Sequence, residues 1–419
     1  MSHANEPESL TEIDGAELYG REGQRYMAEP EQVAAANAAL YLEMPLLLTG
    51  EPGCGKTHFA WAVAWGLHRQ RVPRAVYQLE SAPQPLVCQV RSDSRARDLL
   101  YSYDAVRRFG DAQHGGDAGR IRAADARQYI ELGGLGRALM DTTRQVVLLD
   151  EIDKAPRDLP NDLLNELDVG DFEIPEIPSA LPDDVMRQLP TVVESHGIAL
   201  ARHMRRPLQR EVSPPRRLPK PLVIITSNVE RQLPDAFLRR CVFFHIEFPS
   251  RERLTQILRD HLCDTLSRLQ RDVGTGGSAT GNELRVIAQR FMQTPSRAPG
   301  NGNAPANLQR STPADDPEIA RAFIEALLDL FLRLRELALT KRPATAELIA
   351  WGKALLAGRA AMAQAMTLIR AAQAMADAKA PPDGATLFAQ LPHVGCLIKL
   401  REDWERLRPR ASSSPLLPA

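Results

Sequence analysis

The chain has 419 residues, of which 44% are hydrophobic and 25% charged, an ordinary globular composition with length for two or three cores. Its 52 basic and 53 acidic side chains leave a formal charge of −1, so no global attraction to nucleic acid or to an anionic membrane is built in. The five cysteines (Cys54, Cys88, Cys241, Cys263 and Cys396) stand singly, a spacing that argues against zinc sites and disulfide scaffolds and fits a reducing compartment.

Residues 1–18 read as a polar, flexible leader without the basic and apolar regions of a signal peptide. No run of about 18 apolar residues occurs later, so the expectation is a soluble, cytoplasmic protein. Residues 31–42 are Ala-rich with Val33, Ala36 and Leu40 at helical spacing. Residues 45–49 form a short apolar run ending in a glycine-rich turn, and Phe59, Val63 and Leu67 then repeat at helical spacing. Further apolar runs at 75–79, 146–149, 222–226 and 242–247 predict strands buried on both faces. The implied fold class is α/β, a parallel sheet sandwiched by helices.

Two stretches interrupt that pattern. Residues 88–140 are charged and helix-prone, and 175–220 are rich in Pro and Arg; both are too long for ordinary connections. The α/β core therefore spans 19–249 with two insertions. From 250 to 360 the chain reads as helical, interrupted by a low-complexity stretch at 274–317 that encloses a short helical piece at 284–292. Residues 361–419 read as C-terminal helices and a flexible tail.

The chemistry concentrates at four places. Gly50-Glu51-Pro52-Gly53-Cys54-Gly55-Lys56-Thr57 fits GxxxxGK[ST], placed between a strand and a helix. Its glycines let the backbone wrap a phosphate chain, Lys56 reaches the β- and γ-phosphates, and Thr57 offers a hydroxyl to Mg²⁺. Asp150 and Glu151 end an apolar strand, where Asp150 can hold the metal and Glu151 can polarise a water; an acidic strand cap is the plainer alternative. Asn228 ends another strand, either positioning that water or making an ordinary Asn turn. Arg239 and Arg240 precede the last strand; one of them suits the charge of a phosphoryl transition state, or both are a solvated helix end.

In this order the motifs resemble the MoxR branch of the AAA+ ATPases, from about Tyr19 to Leu356. The resemblance assigns Walker A to 50–57, Walker B to Asp150-Glu151, sensor 1 to Asn228, and the arginine finger to Arg240, with Arg239 the fallback. Residues 98–108 and 129–137 resemble the helix-two insertion of this clade, and 175–219 falls where the clade carries a hairpin. Sensor 2 departs from the family pattern, because the arginine precedes the proline in Lys341-Arg342-Pro343; Arg342 is the candidate.

The resemblance implies an AAA+ core followed by an all-helical lid, a hexameric ring, and an ATP- and Mg²⁺-dependent activity that remodels or matures a client protein. A partner with a von Willebrand factor A domain is often involved. Two alternatives stand beside it: a nucleic-acid motor or restriction-type GTPase, and a nucleotide-gated scaffold with little hydrolysis. The adenine is expected near Tyr26 and Met27. The basic cluster between Arg202 and Lys220 lacks interleaved aromatics and reads as a solvated loop. Cys54 is a possible point of attack for thiol reagents.

Overall fold

Apolar runs whose side chains point alternately to opposite faces can be buried only if both faces are covered. The computed structural model describes residues 12–15, 18–20, 25–69, 84–141, 143–170, 172–177, 211–212, 220–228, 231–275, 279–293, 318–358, 360–377, 388 and 391–407. The expected leader lies largely outside the described residues, and the tail beyond 407 wholly so. The 75–79 strand, most of the 175–220 insertion with its arginine cluster, and residues 294–317 also lie outside them.

The chain divides into two compact units, Met1–Glu247 and Phe248–Ala419. The first opens with a short antiparallel pair, β1 (Leu18–Tyr19) and β2 (Arg25–Tyr26), then α1 (Pro30–Leu42), β3 (Leu46–Gly50), α2 (Lys56–Arg69) and β4 (Leu86–Gln89). Next come α3 (Ala96–Leu100), β5 (Tyr101–Tyr103), α4 (Ala105–His114), α5 (Gly116–Ala124), β6 (Ile130–Leu132), α6 (Gly134–Met140) and β7 (Val146–Asp150). The unit closes with α7 (Leu159–Asp162), α8 (Leu164–Val169), β8 (Phe172–Glu173), β9 (Glu211–Val212), β10 (Leu222–Ser227), α9 (Asp235–Leu238) and β11 (Val242–Ile246).

Five of these strands form one parallel sheet in the order β11-β3-β10-β7-β4. The period of two is visible in the cores. Leu46, Leu48, Val146, Leu148, Leu222 and Ile224 pack on one face with Phe59, Val63 and Leu67 of α2. Leu47, Val147, Leu149, Val223 and Ile225 pack on the other with Leu99, Leu135 and Leu139. The edge strand β4 is short, and its exposed Val87 and Gln89 alternate with buried Cys88. Such a one-sided strand lacks the continuous apolar run that marks the others.

Residues 88–140 are folded rather than loop-like. Helices α3 and α6 flank an antiparallel pair, Tyr101–Tyr103 with Ile130–Leu132, from which α4 and α5 project as a helical hairpin. Arg108 Nε donates to the Ala123 carbonyl, joining the two arms of the hairpin, and Tyr129 Oη donates to Asp111, tying the hairpin to its base. At Gly136 any Cβ would stand 2.0 Å from the Leu100 carbonyl, so only glycine lets α6 approach the end of α3 this closely.

The second unit contains α10 (Arg251–Thr275), α11 (Ala279–Gln293), α12 (Glu318–Glu336), α13 (Thr345–Leu355), α14 (Ala361–Asp377) and α15 (Arg401–Leu407). Helix α11 lies in the first half of the expected low-complexity stretch, extends the helical piece expected at 284–292, and buries Leu284, Ala288 and Phe291, a spacing of four and three that makes one helical stripe. Phe323, Phe331, Leu348, Trp351, Leu368, Ile369, Leu397 and Leu407 share a single core, so the C-terminal helices and the preceding ones form one body. The loop before α13 is tied down by Asp403, whose carboxylate accepts from the Thr340 and Lys341 N–H groups. Among the described residues no helix is long and apolar enough to cross a membrane.

Candidate nucleotide site

In a parallel sheet, chain reversals at the carboxyl ends of the strands gather side chains from distant segments along one edge. Strand β3 ends in Gly50 at φ 150°, where a Cβ would stand 2.4 Å from the Ile246 carbonyl of the neighbouring strand. Gly53 and Gly55 follow with φ of 77° and 104°, left-handed values that close the loop tightly. Lys56 then opens α2. The residue is 7% exposed, and its ammonium donates to the Gly50 and Glu51 carbonyls at 2.8 and 3.0 Å, folded over the loop that contains it. Glu51, Pro52 and Gly53 are exposed at the loop's tip and Cys54 is buried. Burial pushes the Cys54 thiol above its ordinary value, outweighing the nearby Lys56 charge, so the thiol is a poor nucleophile.

Thr57 Oγ donates to Asp150 Oδ1 at 3.0 Å across 93 positions of sequence. The same carboxylate oxygen accepts from Thr226 Oγ at 2.7 Å, and Thr226 Oγ in turn accepts from the Glu151 N–H at 2.9 Å. A hydroxyl and a carboxylate at this separation are hard oxygen donors of the kind that Mg²⁺ takes. Glu151 has φ 59°, a left-handed conformation uncommon for a residue with a side chain. Its Oε2 is paired with Lys154 Nζ at 2.5 Å.

Asp153 is only 3% exposed, and its Oδ2 accepts from the Asn228 N–H at 3.0 Å. The carboxylate binds the turn carrying Asn228 to the segment carrying Glu151. Thr226 and Asp153 were not legible as site residues in the sequence. The polar Thr-Ser-Asn end of an otherwise apolar strand, and a third acid after Asp150-Glu151, are the signals that mark them.

The structure therefore brings together Gly50 to Thr57, Asp150, Glu151 and Asn228 along the carboxyl edge, with Ser227 opposite Thr49 in register. Arg240 is elsewhere. Strand β11 runs parallel to β3 with Val242 opposite Leu46 and Ile246 opposite Gly50. Arg240 precedes the amino end of β11, whereas the P-loop follows the carboxyl end of β3. The intervening strand measures about 13 Å. Arg240 Nε donates to Asp168 Oδ2 at 2.6 Å and Nη1 donates to the Ala236 carbonyl at 3.0 Å; the two charged side chains are 44% and 45% exposed. Arg239 is exposed at the end of α9. Beside them, burial and then the Asp168 charge push the Cys241 thiol up to about 12. Arg342, in the second unit, is exposed on the loop fixed by Asp403.

Residues 45–241 match the model of the AAA domain (dynein-related subfamily). This segment is an AAA domain, and its sheet with the helical second unit has the AAA+ P-loop fold with a helical C-terminal region. Among solved structures, the Thermotoga maritima RuvB Holliday junction branch migration motor is 14% identical with a TM-score of 0.26; the match covers 56% of this chain and 48% of that one. A variant of that RuvB matches at 13% identity, with the same coverage and TM-score. The chain thus spans about half the length of the solved structures it matches. No curated protein matches.

Proposed function

We propose that the chain is a Mg²⁺-dependent ATPase working as a ring of copies, hexameric by resemblance to MoxR-like AAA+ proteins, and that it remodels or matures a client protein. The observation that carries the enzymatic part is the convergence of Lys56, Thr57, Asp150 and Glu151 on one edge of the sheet, locked by the Thr57–Asp150 and Thr226–Asp150 hydrogen bonds.

In this reading the P-loop N–H groups and Lys56 bind the phosphate chain, and Thr57 and Asp150 would hold Mg²⁺, which supplies charge neutralisation on the phosphate oxygens. Glu151 accepts the proton of the attacking water and Asn228 orients that water. Arg342 is the sensor 2 candidate of the lid. Arg240 supplies positive charge to the site of a neighbouring copy. The placement of Arg240 at the amino edge supports action in trans, because its own P-loop lies at the opposite edge. A client protein, acting with a partner that carries a von Willebrand factor A domain, follows from the family resemblance.

The test is ATP hydrolysis measured against protein concentration for the wild type and for Arg240→Ala. Specific activity that rises with concentration, and is lost in the variant while ATP still binds, supports a shared site. Activity that is independent of concentration and survives the substitution refutes the ring and the role of Arg240 together.

A further inference from the structure

Gln32 lies in the first turn of α1 and is 0% exposed. Its Oε1 accepts from the Glu29 N–H at 3.1 Å and from Tyr26 Oη at 3.4 Å. Its Nε2 is buried with both N–H groups unmet. The amide cannot simply be turned over, because its nitrogen would then face the Glu29 N–H, donor against donor. Capping alone does not explain the residue either, since a glutamate at this position would accept the same two hydrogen bonds. What glutamine adds is the donor that has no acceptor.

The surroundings indicate what that acceptor is. Tyr26 is the link between Gln32 and the phosphate loop: a Cβ on Gly55 would stand 3.6 Å from both its ring edge and its hydroxyl. The same ring packs 5.6 Å from Phe59, in the helix that Lys56 opens. The amide is therefore one hydrogen bond away from a side chain that touches the P-loop. The Tyr26–Gln32 contact is at the long end of hydrogen-bond distances, so it yields readily to a better-matched group.

We propose that Gln32 is a specificity-determining residue of this site, whose Nε2–H donates to an unprotonated ring nitrogen of the nucleotide base. Adenine N1 is such an acceptor, whereas guanine and hypoxanthine carry N–H at that position. Tyr26 shifts to admit the base, and Oε1 keeps its bond to the Glu29 N–H. The inference rests on the nucleotide-site reading given above, and it names the base class that reading leaves open.

The experiment is equilibrium binding of ATP, inosine triphosphate and 1-deaza-ATP to the wild-type chain, to Gln32→Glu and to Gln32→Met, with Lys56→Ala as the control for phosphate-loop binding. Gln32→Glu keeps both acceptor bonds and loses only the donor; Gln32→Met approximates the volume and removes every polar atom. The wild type is expected to prefer ATP over each analogue by about tenfold, the discrimination of one buried hydrogen bond. That ratio should fall to about one in Gln32→Met and to one or below in Gln32→Glu, whose carboxylate accepts from the N1–H of inosine triphosphate, whatever the change in absolute affinity. If either folded variant retains the wild-type ratio, the proposal is overturned and the nucleotide site stands. If the wild type binds no triphosphate, or Lys56→Ala binds as the wild type does, the nucleotide-site reading fails and takes the proposal with it.

Discussion

The two edges of the central sheet are built in opposite ways. At the carboxyl edge, Lys56, Asp153, Thr226 and Ser227 are all buried, and the Thr57, Asp150, Thr226 and Glu151 segments are cross-linked by three hydrogen bonds between distant positions. At the amino edge, Arg240 is nearly half-exposed and is held by the equally exposed Asp168. The carboxyl edge is preorganised within one chain, as electrostatic catalysis requires. In the function proposed above, the amino edge offers a cation to a neighbouring copy, and a site divided in this manner would tie chemistry to assembly.

The largest expected effect tests that division directly. Arg240→Ala should lower turnover by about 10³-fold with ATP binding retained, the scale on which an arginine finger acts. Glu151→Gln should lower it by about 10²-fold or more, again with binding retained. Neither variant alone distinguishes one edge from the other, but their mixture does. In a ring of both variants, some interfaces pair an intact Glu151 with an intact Arg240. Equal random mixing should return about a quarter of wild-type turnover, measured by steady-state phosphate release. Recovery no greater than the sum of the separate variants would place both residues in one chain's site and end the comparison.

The next effect sharpens the account of the carboxyl edge. Asp153→Ala removes the acceptor for the Asn228 N–H and should lower turnover by about tenfold through misplacement of the sensor turn. Asp153→Asn keeps an acceptor oxygen and should recover most of the loss. In a double-mutant cycle with Asn228→Ala the two losses should fall well short of additivity, because both act on one water-positioning group. Additive losses would assign Asp153 to the fold of the strand ends alone.

How much of this could be read in the sequence follows from the range of the interactions. The P-loop is legible because eight contiguous residues carry both the backbone geometry and the chemistry. Strands β3, β7 and β10 are legible because each is apolar on both faces. The edge strand β4 is not, since only Cys88 of its four residues is buried. Helix α11 is legible at 284–292, where Leu284, Ala288 and Phe291 stand at helical spacing, while its first residues from Ala279 are hidden by the Gly-rich flank. Thr226, Asp153 and Asp168 share a different difficulty. Each acts on a residue 72 to 76 positions away, and nothing local announces the partner.

The smallest expected effect concerns Asp168, which sits beside Arg240 at the exposed edge. An ion pair this open to solvent contributes about 0–1 kcal/mol to stability, so Asp168→Ala should leave the thermal midpoint almost unchanged. Its consequence for turnover depends on what the pair does to the guanidinium. With Nε on Asp168 and Nη1 on the Ala236 carbonyl, the guanidinium is held at two points. Losing the carboxylate frees the side chain to sample other rotamers, and an entropy cost of that kind corresponds to about a threefold loss in turnover. Asp168→Asn, which can still accept from Nε, should lose less. A gain in turnover in Asp168→Ala would reverse the assignment: the carboxylate would then compete with the phosphate for Arg240 and act as a restraint on the amino edge. Single-turnover rates at saturating ATP separate the two, because either effect acts after nucleotide has bound.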